Sequence, residues 1–396
     1  MKQSVSQLAS AFNDRFLQLL ISLDEAIVLS GKKTAQMKIF EDSEQQDARR
    51  ELLMVEEIAN RKREIEADAE MTHHLKIEAQ FHQRLLVDIE ERLQDTDNIL
   101  SSILNVNEHL GKLLDVLYTE ACTLSKLVDH IDALPWLQRA ILQFVKQPKY
   151  RRVDAKGHAV IISTTKAALS FIGIESLRQL VPVLVSKHVM PPNSEFTPDL
   201  QRHLWLYTIG TGNVARELSK EFGVKPHLGF NLGLLASIGH SVVATIYLKA
   251  FDIQLREEII DAKNNNNHVL AQSIAKLTPS HKYIRSLWKM HAAKVAYSII
   301  AALKLRWLNI TPGVAGIASI KEISYKYVEK HNLHPLAKLL FKSAGYMQFK
   351  LMQKNQLMSK EASMLYLRNF GIAASDLSNL RNVNLTGLEL KIAQNA

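Results

Sequence analysis

The chain is predicted to be all-α, a multi-helix domain preceded by a helical arm. Three observations predict it. Beyond residue 100 the apolar residues recur at spacings of three and four almost throughout. No run of alternating apolar and polar residues bounded by hairpin signals persists anywhere. The periodic stretches are cut by helix-breaking punctuation at Gln147-Pro148, at Met190-Pro191-Pro192-Asn193-Ser194, across Asn264 to Asn267 and at Thr311-Pro312-Gly313.

Taken in chain order, the first element is an amphipathic helix. Val5, Leu8, Phe12, Phe16, Leu19, Leu20, Leu23 and Ile27 share one face, and the helix is predicted to end near Gly31. Residues 41–72 hold good helix formers but few apolar anchors, as in Arg61-Lys62-Arg63-Glu64-Ile65-Glu66, and read as an exposed spacer held by charge pairs four apart. The solvent-facing pair His73-His74 belongs to this polar stretch. An apolar stripe returns at Ile77, Phe81, Leu85, Ile89 and Leu93 and leads into the body. The expected organisation is an acidic helical arm over 1–100, a main helical domain over 101–325 and a C-terminal helical extension of the same domain over 326–396. Removing residues 1–75 is expected to leave a body that still unfolds cooperatively.

Composition bounds the function. A chain of 396 residues with 47% hydrophobic content buries a large core in one sizeable or two smaller domains. Its single cysteine, Cys122, excludes an intramolecular disulfide and a multi-cysteine metal site, and reads as a small buried residue in a reducing compartment. The N-terminus lacks a continuous apolar stretch of the secretory kind, so a cytoplasmic location is expected. The run without charge between Lys225 and Lys249 is long enough to cross a bilayer. It is interrupted by His227, Asn231, Ser237, His240, Ser241 and Thr245 and reads as a buried core helix rather than a span. Net charge is +9, but the first 100 residues carry 13 Lys and Arg against 20 Asp and Glu, and the remaining 296 carry 36 against 20. An acidic arm thus precedes a basic body.

The most informative segment is Gly233-Leu234-Leu235-Ala236-Ser237-Ile238-Gly239. It resembles the Gly-Leu-Leu-His-Asp-Ile-Gly signature of the HD superfamily of metal-dependent phosphohydrolases, with the glycine and apolar frame kept and the His-Asp pair replaced. Such an enzyme needs an imidazole nitrogen and a carboxylate oxygen side by side to hold the ion that activates water. Ala236 has no ligand atom, and the Ser237 hydroxyl is a poor one.

Further blocks follow in order. Leu124 to Ile131 with Ala140-Ile141-Leu142, then Thr165 to Arg178, then Trp205 with Ala215 and Leu218, and finally His291 with Trp307, Ile310 and Pro312 are similar to successive blocks of the HD-related output domain (HDOD) of bacterial signalling proteins. The resemblance covers roughly residues 105–385. It departs from the family at Val145 to Arg152, which lacks the usual Asn-Ser. What the resemblance implies is a helical, non-catalytic output or adaptor module with no metal and no cofactor. Such a module couples a bacterial signal to a protein partner, with cyclic-dinucleotide networks as one setting.

The residues needed for other chemistry are incomplete. His203, His227, His240 and His291 are candidate ligands, and His240 lies one turn past Ala236. A divalent site also needs carboxylates, yet no Asp or Glu occurs between Glu221 and Asp252. Gly210-Thr211-Gly212-Asn213 lacks the Gly-Lys-Ser/Thr of a phosphate loop and reads as a close helix approach. No nucleophile elbow, no zinc-protease helix and no cyclic-dinucleotide enzyme motif is present.

Lys146, Lys149, Tyr150, Arg151, Arg152, Lys156 and His158 form the one candidate anion- or ligand-binding cluster. It reads first as a solvated loop and second as a phosphate-binding loop able to stack on a base. Nucleic-acid or nucleotide binding by the basic body is the second reading of function, and residual metal-dependent phosphohydrolysis the third.

Overall fold

The computed structural model describes residues 5–32, 54–150, 162–388 and 390. Among them every regular element is helical and none is a strand. The expected single first helix is two. Helix α1 (Val5–Ile21) stops at Ser22, whose backbone is extended (φ −151°, ψ 122°) and whose hydroxyl accepts the Glu25 N–H to cap α2 (Leu23–Leu29). Serine is among the strongest N-caps, and here that local preference interrupts the apolar periodicity. Gly31, at φ +77°, closes the pair.

Helix α1 packs into the body rather than lying beside it as a peripheral arm. Phe16, Leu19, Leu20 and Ile21 are fully buried. Phe12 meets Tyr366 edge-on at 5.8 Å, Phe16 lies 5.0 Å from Tyr207, and the Arg15 guanidinium donates to the Leu357 carbonyl at 2.7 Å. One connected set of buried apolar side chains runs from Phe12 to Leu380.

The long polar stretch is helical from its first described residue. Helix α3 (Met54–Gln94) spans 41 residues, and its returning stripe of Ile77, Phe81, Leu85, Ile89 and Leu93 is buried. His82 is buried with the stripe. It stacks on Tyr283 at 3.9 Å and bonds the Tyr247 hydroxyl at 3.1 Å, which in turn accepts the Ser280 N–H at 2.7 Å.

A short helical turn, Thr96–Asn98, and a π turn, Ile99–Ile103, lead into α4 (Glu108–Val116), α5 (Leu124–Asp132) and α6 (Pro135–Val145). Helices α7 (Thr165–Ile172) and α8 (Ile174–His188) meet at Gly173 with a bend of 113°, which its φ of +77° permits. Then come α9 (Leu200–Leu218), α10 (Pro226–Leu235), α11 (Ile238–Asn264) and α12 (His268–Ala275). Helix α13 (His281–Leu287) continues through a wide π turn, Trp288–Ala292, into α14 (Ala293–Ala302). The chain finishes with α15 (Thr311–Ala318), α16 (Tyr325–Lys330), α17 (Pro335–Lys354), α18 (Lys360–Asn369) and α19 (Ala374–Leu380).

Two packing contacts set the centre of the molecule. At the crossing of α9 and α10, a Cβ added to Gly233 would lie 2.6 Å from the Thr211 carbonyl oxygen and 2.7 Å from the Gly212 Cα. The small residues of Gly210-Thr211-Gly212-Asn213 are therefore a helix approach, as expected. Lys342 of α17 is buried between Glu221 at 2.5 Å and Asp376 at 2.9 Å. The run Pro226–Asn264 is apolar and long enough to cross a membrane, and 83% of its most apolar window is buried inside the protein.

Candidate functional site

Ala236 ends α10 and Ser237 begins α11, so the altered pair sits at a helix junction. The Ser237 hydroxyl is buried and already engaged, at 2.7 Å from the Thr208 hydroxyl and 3.0 Å from the Leu234 carbonyl. It holds α9 to the junction rather than facing a ligand. Beside it opens a cavity of about 230 Å³. Helix α1 supplies Asn13 and Leu17, α9 supplies Tyr207 and Thr211, and the junction supplies Ala236, Ser237 and His240. Trp288, Lys289 and Ala292 come from the π turn, and the far wall is built by residues between Ile317 and Phe370.

His240 is the one candidate histidine that reaches this cavity. Its ring meets Trp288 at 5.4 Å and Tyr207 at 6.2 Å, both edge-on, and the Trp288 indole donates to the His240 carbonyl at 2.8 Å. The imidazole itself has no hydrogen bond, and its Nδ1 is sealed from solvent. Burial drives its pKa down from 6.5 to about 4, so the ring is neutral at pH 7. Burial likewise pushes the Tyr207 phenol up to about 12, despite its hydrogen bonds to Gln348 and Thr211. Lys289 is ion-paired with Asp14.

The other candidates lie elsewhere. His203 bonds the Leu19 carbonyl at 2.7 Å and stitches α9 to α1, His227 stacks on Tyr118 at 5.1 Å, and His291 lies in the π turn with its Nε2 buried. Among the described residues no group of three or more His, Cys, Asp or Glu could hold a metal ion. In the basic cluster, Lys146 and Lys149 are exposed around the short turn after α6. The Tyr150 side chain, Arg151, Arg152, Lys156 and His158 lie outside the described residues.

Sequence reasoning found Ala236, Ser237 and His240 but missed Tyr207, Trp288, Gln348 and Asn13 around the same cavity. No local signal marks them, because they come from segments far apart in the chain.

Acid is expected to destabilise the fold through its buried histidines. His82, His203 and His240 all have native pKa values lowered by burial. As pH falls below 6.5 the unfolded chain binds protons that the native chain refuses, so stability falls with pH until the native groups titrate. For His240 that window runs from 6.5 to about 4 and is worth on the order of 3 kcal/mol at its end. Melting temperature measured from pH 7.5 to about 4.5 checks this, since removing the titrating ring in His240→Phe should flatten the profile. An unchanged profile would assign the acid sensitivity to other groups.

The family model of the HDOD domain matches residues 104–297. No curated protein matches the sequence. A crystal structure from Shewanella amazonensis SB2B, of a protein described as a candidate metal-dependent phosphohydrolase, aligns at 14% identity with a TM-score of 0.40. The alignment covers 78% of this chain and 95% of that one. The HDOD match, on a helical chain with its glycine frame intact around an altered His-Asp position, shows that this protein carries an HDOD domain over residues 104–297.

Proposed function

We propose that this protein is a non-catalytic regulatory module of the cytoplasm that acts through protein contacts. The observation that carries the reading is the junction itself. Ala236 offers no ligand atom, and the Ser237 hydroxyl is engaged with Thr208 and Leu234, so neither residue offers a free ligand atom to a metal. Trp307 supports the second half of the reading. Its side chain is 63% exposed, while Asp115 Oδ1 accepts the backbone N–H groups of Arg306, Trp307 and Leu308 at 2.8, 2.6 and 3.1 Å. An exposed tryptophan on a pinned backbone, beside a pocket lined also by Leu100, Val106 and Lys112, is the kind of anchor that dominates protein interfaces.

Purified protein supplied with manganese or iron is expected to leave cyclic dinucleotides and bis(p-nitrophenyl) phosphate intact. Chelator-sensitive turnover that disappears in His240→Ala would overturn the non-catalytic reading. Partners captured from native lysate by the wild type should be lost with Trp307→Ala. RNA or DNA binding that survives physiological salt would instead favour the basic body as a polyanion site, because counterion release makes diffuse contacts steeply salt-dependent.

A further inference from the structure

The cavity beside Ala236 is the most informative space in the molecule that the proposed role leaves unused. Its lining has three properties. First, it is electrically balanced: among the described residues Lys289 is its one cation, already paired with Asp14, and no Asp or Glu lines it. A phosphate or carboxylate would find no free counter-charge there, and a cation no carboxylate. Second, its walls are aromatic and aliphatic, with Tyr207, Trp288, Phe341 and Phe370 among them. Third, it holds one polar group with an unmet need. The neutral imidazole of His240 makes no hydrogen bond within the protein; its Nδ1 is sealed from solvent, which leaves Nε2 as the nitrogen an occupant could meet. The volume of about 230 Å³ falls below that of ordinary drug-sized pockets and suits a single ring.

We propose that this cavity binds a small uncharged aromatic molecule carrying one hydrogen-bond donor, with the ring between the aromatic walls and the donor on the His240 imidazole. This rests on the reading that no metal occupies the junction. The walls come from α1, from the HDOD domain and from the segment Ile317 to Phe370, so an occupant touches all three. Binding would thereby tie both flanking segments to the domain and stabilise them together.

Three probes with one ring separate the terms: phenol, toluene and benzoate, titrated calorimetrically and by ligand-observed NMR into the full chain. Phenol is expected to bind with a dissociation constant on the order of 0.1–1 mM, in keeping with its few heavy atoms. Toluene should bind roughly five- to tenfold more weakly for want of the donor, and benzoate should not bind. His240→Phe keeps the ring and should erase the preference for phenol over toluene. Ala344→Leu extends a side chain into the cavity from α17 and should abolish phenol binding. Should that variant fail to fold, the His240→Phe comparison decides alone.

No phenol binding up to about 10 mM, equal affinity for phenol and toluene in the wild type, benzoate as the best ligand, or a phenol preference that persists in His240→Phe would each overturn the proposal. A separate titration with manganese alone keeps the two readings apart. Stoichiometric metal would sink the non-catalytic reading, whereas phenol failing in metal-free protein sinks only the ligand.

Discussion

A chain lacking residues 1–32 is expected not to fold cooperatively. Helix α1 buries Phe12, Phe16, Leu17, Leu19, Leu20 and Ile21, each less than 9% exposed. Full burial of such side chains stabilises by roughly 1.5–3 kcal/mol each. Together they supply on the order of 9–18 kcal/mol, an upper figure because the unfolded chain already hides some apolar surface. Whole domains are stable by only about 5–15 kcal/mol. The truncation also orphans the His203 Nδ1, which bonds Leu19, and opens the face of Tyr207 that Phe16 covers. Urea denaturation followed by far-UV dichroism and tryptophan fluorescence checks it. A single sharp transition with an unchanged midpoint would restore α1 to the status of a detachable arm.

Replacing Gly239 by alanine should cost about 3 kcal/mol or more. A Cβ there would stand 1.9 Å from the Ala292 carbonyl oxygen and 3.0 Å from the Ala296 nitrogen, both backbone atoms that cannot rotate away. Ordinary overpacking costs 1–3 kcal/mol because side chains yield; here a helix must move. Ser237→Ala, by contrast, removes one hydroxyl from the Thr208 contact and should cost only about 1 kcal/mol. Denaturation midpoints of the two variants test the contrast. Similar costs would mean that α11 and the π turn slide apart freely.

That contrast explains what the sequence could and could not disclose. The glycine frame of Gly233-Leu234-Leu235-Ala236-Ser237-Ile238-Gly239 is legible as a motif because Gly233 and Gly239 are packing requirements, which leave a strong trace in residue type. The helical class is legible for the same reason, since each buried stripe repeats at helical spacing. The break at Ser22 was not, because Phe16, Leu19, Leu20, Leu23 and Ile27 keep their periodicity straight through the cap. Nor was the burial of Lys342, whose two carboxylate partners lie 121 residues before it and 34 after it. The cavity was half legible. Ala236, Ser237 and His240 form one contiguous signal, whereas the wall opposite comes from α1 and α17, and closure between chain ends has no local signature.

The contact of Arg15 with the Leu357 carbonyl joins residues 342 positions apart. During synthesis at about 5–20 residues per second, the partner of α1 therefore emerges roughly 17–70 s after α1 itself. For that interval the face of Phe12, Phe16 and Leu20 has no finished groove to enter and is open to nonspecific association. The nascent protein should therefore depend on a holdase that masks this face until α17 and α18 are made, with aggregation on the ribosome as the penalty for its absence.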